Sequence, residues 1–485
     1  MVKCMFFLFC LAMHSIVFAA NSQAFSQNAA DGSCPEPTGR VVVPADASYN
    51  KARLVSNYHS SKNSYPKAIV YCQNAQDVQN AIKWARCRNM PIRVRSGGHN
   101  HEGFSTGTDA LVIDVSEMKA LQVDKDKGIA SVQPGITGGE LYRALFKEGL
   151  SQVGGTCEEV GLSGLVLTGG MGPLGRIRGL ACDNLISFDI ANADGQILHV
   201  TSDNEYKDLF WAACGGGGGN FGVVTSLVIK VYPAKPVTWF NIGWDWNQPI
   251  EKVIAAWQEF FLKEDRRWFS HLDIWAKSFP SEKFKKQPVK ALGMFYGTPE
   301  EAKKELAPLL NIGRVSDQTI ELVDWEKAIK LFEDSTKTFI TEKPEYKSTG
   351  SFAMKPFPHE AIKIIVDTLQ GSTSPLLNVL FLCLGGAIQD RAPTDTAYYY
   401  RQAEFLAVYS SQWLQEKDEA QLIGEVNALR DRLLPYTKGD YVGNPDRNIK
   451  DYLRAYYGEN VERLKLVKRK YDPQNIFRFE QSIPL

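Results

Sequence analysis

The stretch RVRSGGHNHEG, residues 93–103, decides how this chain is read. PIRVR (91–95) alternates apolar and polar residues, the period of a strand. Gly97 and Gly98 follow at once, so the strand runs into a turn of the kind glycine enters without steric cost. His99, Asn100, His101 and Glu102 then come in succession. That order admits two readings. One is an ordinary polar turn. The other is a loop that lays Ser96, Gly97 and Gly98 backbone against a phosphate-bearing cofactor and presents His99 to it from a strand end. His101 reads as solvent-facing or as a support for its neighbour.

Working outward, KAIVYC (67–72) reads as a strand and residues 74–90 as a helix. Asn74 and Asp77 form a capping pair there, with Val78, Ile82 and Ala85 on one face. ALVIDV (110–115) and GIASVQPG (128–135) follow as strands, then a helix at 138–150. SFDIANADGQILHV (187–200) reads as a hairpin about Asp194-Gly195. GVVTSLVIKVYP (222–233) closes this part as a strand, and Pro233 and Pro236 mark a boundary. Residues 21–65 look irregular. Beyond 237 aromatics are dense; helices are predicted at 250–263, 299–310, 359–370 and 416–434, and strands at 290–297, 377–387 and 403–413. That mixture implies one antiparallel sheet covered by helices. The last stretch is a helix bearing Val461, Leu464 and Val467 on one face, a proline-marked stop and an extended tail.

The chain has 485 residues, enough for two or three domains. Lys+Arg and Asp+Glu are both 55, so no net charge draws it to nucleic acid or anionic lipid. Residues 1–20 read as a signal peptide: a lysine, an apolar run from Cys4 to Phe18, then Ala19 and Ala20. An uncleaved anchor is the alternative. Export implies a secreted or periplasmic protein, with no membrane association after cleavage, in an oxidising compartment. Seven cysteines remain past the leader, so at least one has no partner among them; Cys34, Cys72 and Cys87 are the disulfide candidates. No His/Cys cluster has zinc spacing, so no metal is expected.

Two further segments spend glycine heavily. Residues 153–176 hold eight glycines in 24 positions without a repeat, mixed with apolar residues. Close approach of backbone to a large ligand fits that composition better than a linker. Cys157 sits within it, as a nucleophile or as a buried thiol or disulfide partner. GGGGGNFG (215–222) formally contains G-x-G-x-x-G at Gly217, Gly219 and Gly222. A helix precedes it and a strand follows, the reverse of the dinucleotide fingerprint, so an NAD site of that type is excluded. A flexible loop is the alternative to a ligand-facing one.

These segments together resemble the berberine bridge enzyme-like flavoprotein oxidases, within the vanillyl-alcohol-oxidase (PCMH-type) FAD-binding fold. RVRSGGHNHEG is similar to the family's R-S-G-G-H-[DN]-x-E-G loop, GGTCEEVGLSG to its cysteine loop, and DLFWAACGGGGGNFGVVTSLVIKVYP to its glycine run. GGAIQDRAPTDTAYYYR and the C-terminal YYGENVERLKLVKRKYDPQNIFRFEQSIP also match. The resemblance covers roughly residues 62–484. It implies an α+β chain: a PCMH-type two-subdomain FAD-binding domain (62–235), a substrate domain (236–438) with an antiparallel sheet covered by helices, and a C-terminal segment (439–485) that returns to the FAD domain. It implies FAD held by two covalent bonds, from His99 to the C8α methyl and from Cys157 to C6. Arg95, Ser96, Gly97, Gly98, Asn100, Gly103, Phe104, Val160, Gly161, Gly164, Gly169, Gly170, Gly219, Asn220, Phe221 and Gly222 are the other cofactor-contacting positions. Val160 leaves a path for O2, which favours an oxidase that makes peroxide from a small alcohol or sugar-like substrate.

The chain departs from the family in two places. Leu165 stands where a histidine usually sits near the flavin, leaving Arg176 and Arg178 as candidates to stabilise charge. The family's Y-x-N-Y-x-D reads YVGNPD at 441–446, so Asn444 holds the position of the tyrosine base. Asparagine cannot act as a base. Tyr441 or another residue must serve, with Tyr398, Tyr399 and Tyr400 as further candidates unless they simply pack. A tailoring oxidase of a secondary metabolite and a flavin-loaded protein without turnover are the competing functions. Trp239, Trp244 and Trp246 line a pocket or fill the core.

Overall fold

The computed structural model describes residues 34–263, 265–284, 287–336 and 343–485; the stretch read as a signal peptide, 1–20, lies outside them. The first sheet holds β1 (Arg40–Val42), β2 (Ala68–Tyr71), β3 (Ile92–Arg95) and β4 (Leu111–Asp114), in the order β1-β2-β4-β3. β2 and β3 run parallel to β4, and β1 lies antiparallel on β2. The supposedly irregular 21–65 region therefore supplies an edge strand. β4 (LVID) is buried along its whole length, as a strand covered on both faces must be. The helix Ala75–Cys87 covers one face with Val78, Ile82 and Ala85, and its N-cap Asn74 accepts a hydrogen bond from the Asp77 N–H (3.1 Å). At the far edge Ile92 donates to the Ile476 carbonyl (2.9 Å), so the chain's last residues close this core.

The second sheet is fully antiparallel. It holds β5 (Leu121–Asp124), β6 (Ile129–Val132), β8 (Leu185–Ala191), β9 (Ile197–Thr201) and β10 (Val223–Lys230), in the order β5-β6-β10-β8-β9. The short strands β7 (Leu150–Ser151) and β11 (Tyr232–Pro233) pair beside it. In the β8–β9 hairpin Asn192 Oδ1 accepts from the Asp194 and Gln196 N–H groups, and Gly195 takes φ +72°.

The third sheet has seven antiparallel strands: β12 (Val237–Trp244), β13 (Trp268–Trp275), β14 (Val289–Phe295), β15 (Asp317–Val323), β16 (Glu345–Ala353), β17 (Asn378–Cys383) and β18 (Phe405–Trp413). Their order is β15-β12-β14-β13-β17-β18-β16. Helices Ile250–Phe261, His359–Gly371 and Glu419–Leu433 pack on it. β12, β13, β15 and β16 are absent from the sequence reading. WFSHLDIW is buried at every position and so shows no alternation, and EYKSTGSFA carries polar residues inward. The helix predicted at 299–310 is two, Pro299–Glu305 and Ala307–Leu310, with Pro308 just past the break. Residues 438–440 extend the sheet at β16: Lys438 donates to Phe352 O (2.8 Å) and Phe352 to Gly439 O (3.2 Å).

Disulfides join Cys34 to Cys87 and Cys182 to Cys214, leaving Cys72, Cys157 and Cys383 free. The second was not anticipated, and Cys72 drops out of the candidates. Trp239 and Trp244 are core residues, and Trp246 donates to the Trp275 carbonyl (3.0 Å). Among the described residues no helix is long and apolar enough to cross a membrane.

Candidate active site

The loop after β3 is fixed from below. Arg95 pairs with Asp114 of β4, both buried, which sets the direction in which the chain leaves the strand. Ser96 Oγ donates to the Pro134 carbonyl (2.8 Å), and Ser163 Oγ donates to the same atom (3.1 Å). One carbonyl thus ties the histidine loop to the cysteine loop. The two loops also touch backbone to backbone. A Cβ at Gly97 would lie 2.4 Å from Gly161 N, and one at Gly161 would lie 2.4 Å from Gly97 N. Asn100 Oδ1 accepts from the Glu102 and Phe104 N–H groups (3.1 Å each) and folds the loop back.

The cysteine loop is zipped onto a helix start. Thr137 and Glu140 cap the helix Gly138–Lys147 reciprocally. Gly138 N–H donates to Val160 O (2.9 Å) and Gly139 N–H to Glu158 O (3.0 Å). The result is Cys157 Sγ 3.7 Å from His99 Nε2, across 58 residues of sequence. Burial pushes the His99 pKa down and the Cys157 thiol up, which favours an uncharged imidazole beside an S–H.

Both side chains line a cavity of about 420 Å³. A second cavity, of about 880 Å³, shares Ser96, Gly97, Gly98 and His99 with it. From the sequence candidates, Asn100, Phe104, Val160, Gly161 and Gly164 also line the first, as do Gly219, Gly222, Tyr441 and Asn444. The rest stand behind it. Gly103 packs on Ser60, Gly169 on Tyr398 and Gly170 on Ala181. Phe221 is core, and Asn220 Oδ1 accepts from the Ile483 N–H while its carbonyl accepts from buried Lys468. A Cβ at Gly164 would meet nothing within 4 Å, and one at Gly218 only Leu167 at 3.9 Å. Both glycines line the cavity, so side chains there would fill it, and this is a cradle kept open by glycine.

The other end of the cavity is built by the third sheet. Leu380 lies opposite Val408 and Leu382 opposite Leu406 on β17 and β18, and these four form an aliphatic wall. Tyr441, its pKa raised by burial, lies with its hydroxyl 3.2 Å from Thr168 Oγ1. Gly443 lets that ring fold back, since a Cβ there would sit 2.4 Å from Tyr441 Cζ.

His101 is neither solvent-facing nor a support for His99. It lines the cavity, Nδ1 bonds Asn444 Oδ1, and its ring meets the Tyr346 ring edge-on at 5.4 Å. Sequence reasoning also missed Lys347, which donates to Glu102 (2.7 Å) and Asp446 (2.6 Å) and clasps loop, sheet and C-terminal segment together. The acidic residues of HEG and NPD were its only trace. Arg176 donates through Nη1 and Nη2 to the carbonyls of Leu384, Lys263 and Asp265, and Arg178 stacks on Tyr232. Neither lines the cavity. Tyr398 and Tyr400 are buried outside it, bonded to Met171 Sδ (3.8 Å) and Arg454 O (3.0 Å).

Residues 66–201 match the FAD binding domain family, and residues 440–484 match the family described as berberine and berberine like. The uncharacterized FAD-linked oxidoreductase YgaK of Bacillus subtilis is 41% identical over 92% of this chain and 97% of its own length. Among solved structures, Physcomitrella patens BBE-like 1 has the same fold, with a TM-score of 0.84 at 24% identity over 93% of this chain and 97% of that one. A chitooligosaccharide oxidase aligns with a TM-score of 0.80 at 26% identity over 92% and 97%. The chain belongs to the berberine bridge enzyme-like family of FAD-linked oxidoreductases, α+β proteins of the PCMH type.

Proposed function

We propose that this FAD-linked oxidoreductase is an exported oxidase of a hydroxyl on a small molecule, with FAD tethered by both His99 and Cys157 and O2 as electron acceptor. The observation that carries the reading is the 3.7 Å approach of His99 Nε2 to Cys157 Sγ on one cavity wall. Bound FAD would take a hydride equivalent from the substrate carbon and hand the electrons to O2, releasing H2O2. The chain's part is to hold and orient. Ser96, Gly97 and Gly98 offer backbone to the pyrophosphate, and Gly161, Gly164 and Gly219 leave room for it. Burial disfavours protonation of His99, whose ring nitrogen would be the one joined to the flavin methyl. Val160 lines the cavity three residues beyond Cys157, where a small side chain leaves room for O2.

Within this reading, the Leu380, Leu382, Leu406 and Val408 wall favours an alcohol with an apolar body over a sugar, which wants polar partners or an aromatic platform on that side. The test has two parts. Acid-precipitated protein should stay yellow; a colourless pellet with free flavin in the supernatant removes the covalent tethers. A panel of benzylic, allylic and aliphatic alcohols beside mono- and oligosaccharides should yield peroxide from the apolar alcohols first. Air-stable reduced flavin would make the protein a dehydrogenase instead. The electrically balanced sequence gives no reason to expect a nucleic-acid partner.

A further inference from the structure

We propose that His101 is the proton acceptor of the reaction and that Asn444 is its positioning residue. The proposal rests on the hydroxyl-oxidation reading above. Removing a hydride from a carbinol carbon requires that the O–H proton go somewhere within reach. Asn444 offers no basic atom, although it stands where the family's tyrosine would be. Tyr441 is poorly suited: burial raises its pKa, and what offsets this is the Thr168 hydroxyl and the Gly170 backbone N–H, neither of them charged.

His101 meets the requirement by geometry. Its ring lines the cavity that His99 and Cys157 line. Nδ1 faces Asn444 Oδ1, an atom that can only accept, so Nδ1 carries the proton of the neutral ring. Nε2 is left with the lone pair, and it has no hydrogen-bond partner among the described residues. Asn444 is itself held: Ser348 Oγ donates to the same Oδ1 (3.3 Å), Asn444 N–H donates to Tyr441 O (2.9 Å), and its amide nitrogen packs against Gly350, where a Cβ would crowd it at 3.0 Å. Tyr346 holds the ring from its edge.

The groups around the ring keep it neutral. Burial leads, with His99 on its own loop and Lys347 on β16 adding to it and the Asn444 bond opposing it; together they push its pKa down to about 4. Cys157 on the glycine loop and Tyr441 on the C-terminal segment share the cavity as uncharged neighbours. Glu102, Lys347, Asp446 and Arg447 neutralise one another in ion pairs. Lone pair and vacant position therefore coexist across the neutral pH range. In the step itself the carbinol C–H breaks with its electron pair passing to the flavin, the O–H breaks with its proton passing to Nε2, and C=O forms. The negative charge so delivered to the cavity raises the ring's proton affinity when it is needed. O2 then takes up the two electrons, and with two protons leaves as H2O2.

The experiment uses the full FAD-loaded chain. In ¹⁵N-histidine NMR, with His101→Gln to assign the signal, wild type should show the Nδ1–H tautomer from pH 6 to 9, and Asn444→Leu should shift it toward Nε2–H. In anaerobic flavin bleaching by an alcohol, His101→Gln should be slower by about 10²–10⁴-fold at unchanged flavin content. The ascending limb of kcat/KM near pH 4 should vanish in that variant, and added imidazole should restore bleaching in His101→Ala. An Nε2–H tautomer in wild type overturns the proposal, as does a His101→Gln variant that retains rate and limb, or a limb that Tyr441→Phe removes instead. If no alcohol bleaches wild type, the oxidase reading falls by itself, and the tautomer still decides the His101–Asn444 arrangement.

Discussion

The two walls of the cavity are made of different material. The wall assigned to the cofactor is backbone: Gly97 against Gly161, Gly164 and Gly218 facing open space, one carbonyl, that of Pro134, taken up by both Ser96 and Ser163. The wall assigned to the substrate is side chain: four aliphatic residues from β17 and β18, with His101, Tyr441 and Asn444 around them. Backbone at van der Waals contact tolerates one residue type, whereas a pleated strand accepts any aliphatic side chain of fitting size. The first wall is rigid in sequence and general in what it holds. The second is free in sequence and, on the function proposed, selects the substrate.

Changes to each wall should therefore fail differently. The largest effect is expected from Gly97→Val, whose Cβ would fall 2.4 Å from Gly161 N. Soluble protein, if obtained, should lack the 450 nm flavin band and melt well below wild type; normal flavin content would break the contrast. Next comes the tether. Cys157→Ser should stay yellow after acid precipitation through His99 alone, and the double variant with His99→Gln should release all flavin on denaturation, read in the supernatant.

On the other wall, Leu382→Phe should leave flavin content intact and raise KM for bulky alcohols by about 10–200-fold, the scale of a one-group change in an apolar pocket. Equal loss for small and bulky alcohols would mean that this wall does not select. The smallest effect lies further along the same sheet. His271 on β13 is buried with neither ring nitrogen bonded, and burial pushes its pKa down to about 3. The unfolded chain takes up that proton near pH 6.5, so the penalty is absent above pH 6.5 and grows as pH falls toward 3. By pH 5 it amounts to about 2 kcal/mol. His271→Leu should thus gain melting temperature over wild type at pH 5 more than at pH 8; a pH-independent gain would show that only packing changed.

Legibility followed the same division. The hairpin at Asp194-Gly195, the Asn74 cap and the glycine loops were all readable, because each rests on a local backbone requirement. β13 and β16 were not, since burial on both faces or inward polar residues erase alternation. His101 was misjudged for a related reason. Residue 101 follows His99 by two on one loop, and nothing local says that Asn444, 343 residues away, will close over it. The Cys182–Cys214 disulfide and the Lys347 clasp are likewise long-range pairings.

The sequence by itself determined the cofactor half: which loops turn, which residues those loops carry, and hence the family. It did so because steric exclusion at a glycine acts between near neighbours and leaves one permitted letter. Only the tertiary structure decided what lines the wall assigned to the substrate. That wall is assembled from β16, β17, β18 and residues 441–444, whose approach to the 96–104 loop depends on the packing of three sheets and on a buried lysine shared by two carboxylates. Those forces are summed over the whole core, and no short stretch of chain records them.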